Sequence, residues 1–411
     1  MKKLFSLFLA LLLLFLTACN TTPPASSDDP GSTDHPQQPT NSIVINSGGY
    51  FLNLPSRVIF QMNVAYGTHY NVYYSKADGK AYTYCFDPLC SHENDECLAS
   101  VFWDSFGMSG SALLINNRFY ISQFDTGTII SFNFDGTDKR IEYEAGFEFG
   151  ELPAGAWSPN IVSYGPYIYY EQRATTSDDG KAHNLRFNVE TKEMEDLTDK
   201  TGVYLWPYYF YNGEMYAMTE THEPMKVSLD FTVCEKTDQF KYFKHFSGSS
   251  FIYTVQDEAY NRLGVGIYDM ATGEDRQITY EELGFPEKGI NPIGMDENYI
   301  YFLDAKSVHA GYKLHPKTGK KLKVTKNDGK IYRMNRDGTN VVCVFNDPGL
   351  DFEYLEAIVF DGNSIIIRAN RYRPVEGDTE GLVESYDNGY YVGTAREDGT
   401  FDELKLIEFV G

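Results

Sequence analysis

The chain has 411 residues, enough to bury a large hydrophobic core, and its 58 Asp and Glu against 35 Lys and Arg give a net charge of -23. A surface this acidic repels phosphate backbones, so nucleic acid is excluded as an expected partner. Aromatic residues make up 15% of the chain, which excludes a disordered or collagen-like protein.

The first 18 residues have the features of an export signal. Lys2 and Lys3 precede a short apolar run, Leu4–Leu16. The run is too short to span a bilayer, which needs about 20 apolar residues. The sequence LTAC at 16–19 resembles a bacterial lipobox, and the resemblance implies cleavage before Cys19 and a diacylglycerol on its sulfur. The alternative is ordinary signal-peptide cleavage with Cys19 incidental.

Residues 19–42 are predicted to be the lipidated cysteine and a tether. Residues 20–42 contain five Pro, many Ser, Thr and Asp, and no apolar side chain larger than that of Ala25. Such a segment reaches about 70 Å if extended at about 3.1 Å per residue. We therefore expect a domain held by a lipid at the extracytoplasmic side of a bacterial cell envelope, with the membrane as a partner.

From residue 43 onward, turn signals separate short runs rich in Tyr, Phe, Ile and Val. One series of turns falls at 116–117, 164–165, 212–213, 247–248, 296–297 and 361–362. A second series, often Asp-Gly, falls at 78–79, 135–136, 190–191, near 230, and at 272–273, 337–338 and 398–399. Two hairpin turns in each unit of about 50 residues predict four antiparallel strands per unit.

Units of this size and content predict an all-β fold, a single β-propeller over 43–411. The count favours seven four-stranded blades, with six or eight as alternatives. We expect the strand at Glu403–Val410 to complete the seventh blade by itself. No spare N-terminal strand is evident to interlock the ring, unless residues 43–50 serve.

Two segments carry a family resemblance. KIYRMNRDGTN (330–340) and IISFNFDGTDK (129–139) resemble the propeller repeats of bacterial surface lipoproteins akin to TolB-type and lipoprotein-receptor-type propellers. The YWTD tetrapeptide of the receptor type is absent, so no receptor function is carried over.

Successive loops of an antiparallel blade alternate between the two ends of its strands. The two turn series therefore share one face of the ring. The second-to-third-strand loops and the blade-to-blade connections share the other, which we call the working face. Three unusual segments map there: the connection 85–97, the lysine-rich loop Lys306–Gly329 and the acidic loop Arg371–Asn388. Trp103, Trp157 and Trp206 precede the first strands of three neighbouring blades and are expected on the same face.

Cys85, Cys90, His92 and Cys97 are the concentrated soft ligands of the chain. Paired cysteines outside the cytoplasm favour a disulfide, whereas three thiolates and an imidazole match structural zinc, and free thiols are a third alternative. The family resemblance implies a structural staple here. Zinc is the one cofactor considered. Cys234 and Cys343 are expected in the outer strands of blades four and six, too far apart to pair.

The sequence contains no GxSxG, HExxH, P-loop, dinucleotide-binding or EF-hand motif. We therefore expect a monomeric, non-catalytic protein whose working face binds an extracellular glycan, peptide or partner protein. The alternatives are an extracytoplasmic glycan-active hydrolase or lyase, and a purely structural envelope component. The candidate ligand-binding residues are Trp103, Trp157, Trp206, Lys317, Lys320 and Lys321, although each Trp has an alternative role as core between blades.

Overall fold

The computed structural model describes most of the chain from Phe51 to Val410. The described ranges are 51–53, 56–65, 68–85, 89–90, 113–116, 118–122, 128–133, 137–144, 161–172, 182–238, 243–259, 261–361 and 364–410. The predicted signal peptide, Cys19 and the tether lie outside them.

The described residues form seven antiparallel sheets of four strands each, with one strand added to the first sheet and one extra hairpin, so the predicted seven-bladed propeller is confirmed. Blade one contains β1 (Phe51–Asn53), β2 (Arg57–Ala65), β3 (Thr68–Ser75) and β4 (Lys80–Thr83). Blade two contains β5 (Leu113–Ile115), β6 (Arg118–Ser122), β7 (Ile129–Asn133) and β8 (Arg140–Tyr143). Blade three contains β9 (Ile161–Tyr164), β10 (Tyr167–Gln172), β11 (His183–Asn188) and β12 (Met194–Asp196). A four-residue helix, α1 (Thr198–Thr201), leads to the next blade.

The remaining blades follow in chain order. Blade four contains β13 (Leu205–Tyr211), β14 (Glu214–Thr219), β15 (Pro224–Ser228) and β16 (Cys234–Lys236). Blade five contains β17 (Phe243–Ser247), β18 (Ser250–Gln256), β19 (Arg262–Asp269) and β20 (Glu274–Thr279). Blade six contains β21 (Ile290–Met295), β22 (Tyr299–Asp304), an inserted hairpin of β23 (Val308–Leu314) and β24 (Lys321–Lys326), then β25 (Lys330–Asn335) and β26 (Val342–Asn346). Blade seven contains β27 (Leu350–Phe360), β28 (Ser364–Pro374), β29 (Val383–Thr394) and β30 (Lys405–Leu406), and β31 (Glu408–Val410) follows it.

The end of the described chain closes the ring. Strand β30 completes blade seven, but β31 pairs in parallel with β4, the outer strand of blade one, with Phe409 opposite Ala81. The expectation that Glu403–Val410 completes blade seven by itself is therefore right for β30 and wrong for β31, which belongs to the sheet of blade one. The chain passes from one sheet to the other at Ile407. This residue lies between the two short strands and is buried with the core of blades one and seven. Residues 43–50 lie outside the described residues.

The hydrophobic core is a series of clusters between neighbouring blades. Val58 and Phe60 of blade one, for example, pack with Phe360 and Ile366 of blade seven. Tyr and Phe rings dominate the fully buried side chains, and they interlock at angles that favour ring contacts. Many of the aromatic side chains of the protein therefore lie in its core, where rings such as Phe60 and Tyr390 pack between neighbouring blades.

The predicted turns have the backbone that their residues favour. Asn212 and Gly213 both have positive φ, as a two-residue hairpin turn requires. The degenerate turn of the second series, near Asp230, is also built: Phe231 has φ +60°, and the Asp230 carboxylate accepts a hydrogen bond from the Thr232 N–H at 3.1 Å. Short blade four is therefore complete. Within the described part of the chain, no helix is long and apolar enough to cross a membrane.

Candidate functional site

The lysine-rich segment Lys306–Gly329 is a hairpin and not an irregular loop. It leaves β22, forms β23 and β24 as a two-stranded sheet of their own, and returns to β25. Its turn has Gly319 at φ +64°. Apolar and polar residues alternate along both strands, and this period-two pattern is what makes them pair.

The acidic segment Arg371–Asn388 is also a hairpin. Strands β28 and β29 have 11 and 12 residues, so they continue past the edge of blade seven before they turn. At the turn, the Asp378 carboxylate accepts hydrogen bonds from the N–H groups of Glu380 at 3.0 Å and Leu382 at 2.6 Å. The carboxylate therefore holds the tip in one conformation.

The two hairpins are docked against each other, and we call them together the arm (306–329 and 371–388). Tyr312 donates its backbone N–H to the Gly381 carbonyl at 2.9 Å, and Tyr312 and Leu382 form a parallel bridge. Gly311 permits this approach, because a Cβ there would lie 2.4 Å from a methyl carbon of Val383. Backbone contacts at such close range make the arm one body.

The charges of the arm are segregated. Its first hairpin carries six lysines and no acidic residue between 308 and 326, and its second carries five acidic and no basic residues between 375 and 388. The Lys321 ammonium lies 2.6 Å from the Glu380 carboxylate, and 5.9 Å from the centre of the Tyr312 ring. Both charged groups are well exposed, so this ion pair adds only a small stabilisation.

The three candidate lysines are placed differently. Lys317 and Lys320 lie in the exposed turn of the first hairpin, where the His315 Nδ1 accepts a hydrogen bond from the Lys317 N–H at 3.2 Å. Lys321 begins β24 and is turned toward Glu380. The structure therefore brings all three to one exposed hairpin, with Lys321 already in an ion pair.

A polar cluster that the sequence did not single out lies at the base of the arm. Asp351 and Glu353 lie two residues apart on β27, next to Arg368, Asn370 and Tyr372 on β28. The Asn327 N–H donates to the Asp351 carboxylate at 2.9 Å, and the Asn370 amide donates to Glu353 at 3.4 Å. The alternation of apolar and acidic residues in Leu350-Asp351-Phe352-Glu353 is the signal in the sequence that could have found it.

Burial shifts the pKa values of two groups in this cluster. It raises the pKa of Asp351, against the opposing hydrogen bond from Asn327 and the charge of Lys326. Burial and the negative charges of Asp351 and Glu353 raise the pKa of Tyr372. The side-chain carbonyl oxygen of Asn370 is buried with no hydrogen-bond partner.

Trp206 is half-buried near the start of β13 and packs beside the cluster that contains Tyr209 and Met218. The ring of His222, from the second-to-third-strand loop, contacts its indole edge-on at 5.5 Å between ring centres. Trp206 is therefore at the working face and partly in the core. Trp103 and Trp157 lie outside the described residues.

Cys85 follows β4 and is half-buried, as is Cys90, whereas His92 and Cys97 lie outside the described residues. Cys234 in β16 and Cys343 in β26 are free thiols in outer strands of blades four and six, as predicted. The part of the chain that the structure describes contains no group of three His, Cys, Asp or Glu placed to hold a metal ion.

No protein-family model matches the chain, and no curated protein matches it. Among solved structures, it is similar to the β-propeller domain of the Trilobed protease from Pyrococcus furiosus, with 9% identity over 88% of this chain and 95% of that one, at a TM-score of 0.43. An oligogalacturonate lyase from Vibrio parahaemolyticus has 10% identity over 87% and 92% of the two chains, at a TM-score of 0.43. A GH74 xyloglucanase from Xanthomonas campestris has 11% identity over 90% and 62%, at a TM-score of 0.41.

Proposed function

We propose that the protein is a non-catalytic, lipid-anchored binding protein of the bacterial cell envelope, and that its arm binds an anionic extracellular ligand. The observation that carries this proposal is the first hairpin of the arm. It concentrates six lysines without an acid on one projecting, docked structure, in a chain whose net charge is -23.

The charge pattern suits recognition and not stability. Lys317, Lys320 and Lys323 are exposed. Within the described residues, none of their ammonium groups forms an ion pair. Exposed charges of one sign raise the local concentration of an oppositely charged ligand and its rate of association. Because the rest of the surface is acidic, such a ligand is repelled elsewhere and directed to the hairpin.

The test is charge reversal at the turn. We would measure binding of polyglutamate, polygalacturonate and neutral dextran to the soluble domain, by calorimetry at two salt concentrations. The double variant Lys317→Glu/Lys320→Glu should lose about tenfold or more in affinity for the anionic probes. The double variant Lys139→Glu/Lys405→Glu, which reverses two exposed lysines outside the arm, is the matched control and should change affinity less than about twofold. Absence of binding to both anionic polymers, or an equal loss in the control, would contradict the proposal.

A second candidate function is an extracytoplasmic glycan-active hydrolase or lyase, and the observation that favours it is Asp351. A half-buried carboxyl group with a raised pKa, beside Tyr372 and a second carboxylate, is an arrangement that can supply an acid and a base. Incubation of the domain with polysaccharides, followed by mass spectrometry of the products, tests it. Products that disappear with Asp351→Asn would establish catalysis.

A further inference from the structure

The first hairpin of the arm has an open edge. Strands β23 and β24 form a two-stranded sheet in which β23 is covered on its far side by Gly381 and Leu382. On β24, no strand of the described chain pairs with the outer side. An uncovered strand edge presents backbone donors and acceptors that another chain can use.

The register shows which backbone groups are on that edge. His315 donates its N–H to the Lys320 carbonyl, so the backbone N–H of His315 points toward β24 and this position of the ladder is a hydrogen-bonded one. Hydrogen-bonded and non-hydrogen-bonded pairs alternate along an antiparallel ladder. The pairs Leu314–Lys321 and Tyr312–Lys323 are therefore non-hydrogen-bonded, and the N–H and C=O groups of Lys321 and Lys323 point away from β23.

An independent contact confirms this phase. Tyr312 faces Lys323, and its own N–H points away from β24, toward Gly381. Within the described residues, no hydrogen bond takes the outward backbone groups of Lys321 or Lys323. Two donors and two acceptors are thus presented at alternate residues, about 7 Å apart.

The side chains on this edge select the partner by charge. The side chains of Lys321 and Lys323 lie on the same side of β24. Their neighbours across the hairpin are Leu314 (50% exposed) and Tyr312 (37% exposed), respectively. Two copies of β24 paired with each other would place lysines opposite lysines, which is unfavourable. A strand with Asp or Glu at alternate positions would place opposite charges across the same pairs.

We propose that the outer edge of β24 binds an extended acidic segment of a partner protein as an added β-strand. This inference rests on the proposed function and names the partner of that same site. The partner strand would exchange backbone hydrogen bonds with Lys321 and Lys323. One of its carboxylates would face the Lys323 ammonium, because the Lys321 ammonium is paired with Glu380 on the far side of β23. An acidic polysaccharide can meet the lysines but has no alternating peptide N–H and C=O groups to offer.

The experiment distinguishes the contribution of backbone hydrogen bonds to binding from the contribution of side-chain charge. The probe is a ten-residue peptide of alternating Thr and Glu with blocked ends, and its affinity for the soluble domain is measured by fluorescence anisotropy. Lys323→Ala removes the charge and keeps the outward N–H, whereas Lys323→Pro removes both. Proline is tolerated at such an edge position because the N–H it lacks faces solvent.

We expect Lys323→Ala to weaken binding by about threefold and Lys323→Pro by about thirtyfold, because the second variant also removes a backbone bond and blocks the edge. The melting temperature of each variant shows whether the domain is intact. If Lys323→Pro does not fold, the wild-type domain is tested with the same peptide N-methylated at every second residue. Two such peptides are compared, one methylated at the odd-numbered residues and one at the even-numbered residues. Strand addition is supported if only one of the two peptides loses binding, and it is overturned if both peptides still bind.

The remaining outcomes are also decisive. Equal affinities of Lys323→Ala and Lys323→Pro would overturn strand addition, as would binding of polygalacturonate without binding of the peptide. In both cases the proposed anionic-ligand function stands. If neither the peptide nor polygalacturonate nor polyglutamate binds, the proposed function fails together with this inference.

Discussion

His245 joins the inner strands of two neighbouring blades. It lies in β17 of blade five, and its Nε2 makes a 3.1 Å hydrogen bond with the Pro292 carbonyl in β21 of blade six. Because the partner is a carbonyl, the Nε2 carries the proton and donates it, so the bond needs only the neutral ring. Burial lowers the pKa of His245 to about 4, with a hydrogen bond to Pro292 that opposes the shift.

The direction of the pH effect follows from this depressed pKa. In the unfolded chain an ordinary histidine takes up its proton near pH 6.5, whereas His245 in the folded ring does so only near pH 4. Between these two values the unfolded state binds more protons, so stability falls as the pH falls. At about 1.4 kcal/mol per pH unit, the loss between pH 7 and pH 4.5 is about 2.5 kcal/mol.

The measurement compares wild type with His245→Gln, whose amide can still donate to the Pro292 carbonyl but does not titrate. Urea denaturation of both proteins, followed by circular dichroism at pH 7, 6, 5 and 4.5, gives two free energies of unfolding at each pH. The carboxylates titrate alike in both proteins and cancel in the difference. We expect wild type to lose about 2.5 kcal/mol relative to the variant across this range. A difference that is the same at pH 7 and pH 4.5 would refute the reasoning.

Three further predictions concern other parts of the chain. Ile407→Ala, which removes a buried side chain between β30 and β31, should lower the free energy of unfolding by about 2–5 kcal/mol, whereas exposed Lys405→Ala should change it by less than about 0.5 kcal/mol in the same urea titration. Gly264→Ala would place a Cβ 2.1 Å from the Ile278 carbonyl oxygen, and the resulting clash should cost about 1–3 kcal/mol; an unchanged denaturation midpoint would contradict the close approach. Cys19→Ala should abolish incorporation of a labelled fatty acid in a bacterial host, and wild-type protein that also lacks the label would contradict the proposed anchor.

The blades were predictable from sequence because hairpin turns are local. The dipeptide Asn212-Gly213 by itself predicts a two-residue turn with positive φ, and both residues have positive φ in the structure. The uneven spacing also has a local cause, since the long interval in blade six is the inserted hairpin of β23 and β24. Four strands per blade follow from such turns without knowledge of any distant contact.

The ring closure and the site were less predictable because they depend on distant contacts. Nothing in Glu408–Val410 says that it pairs with β4, at the other end of the propeller. The lysine content of 306–329 drew attention to this segment as a loop, but it did not predict the β23–β24 hairpin. The docking of that hairpin on Gly381 depends on a second hairpin that comes later in the chain. Asp351 reads as an ordinary polar position in a strand until Tyr372 and Asn327 are placed around it.

The closing strand also sets the order in which the protein can be completed. Because β31 follows all seven blades in the chain, blade one lacks its fifth strand until the chain has been synthesised as far as Val410. During that time Val58 and Phe60 lack the blade-seven residues that later cover them. Contacts between such distant parts of a chain form slowly, and uncovered apolar strands are prone to aggregate. Ring closure therefore joins the two ends of the propeller, and until it occurs the apolar faces of blades one and seven are open to contact with other chains.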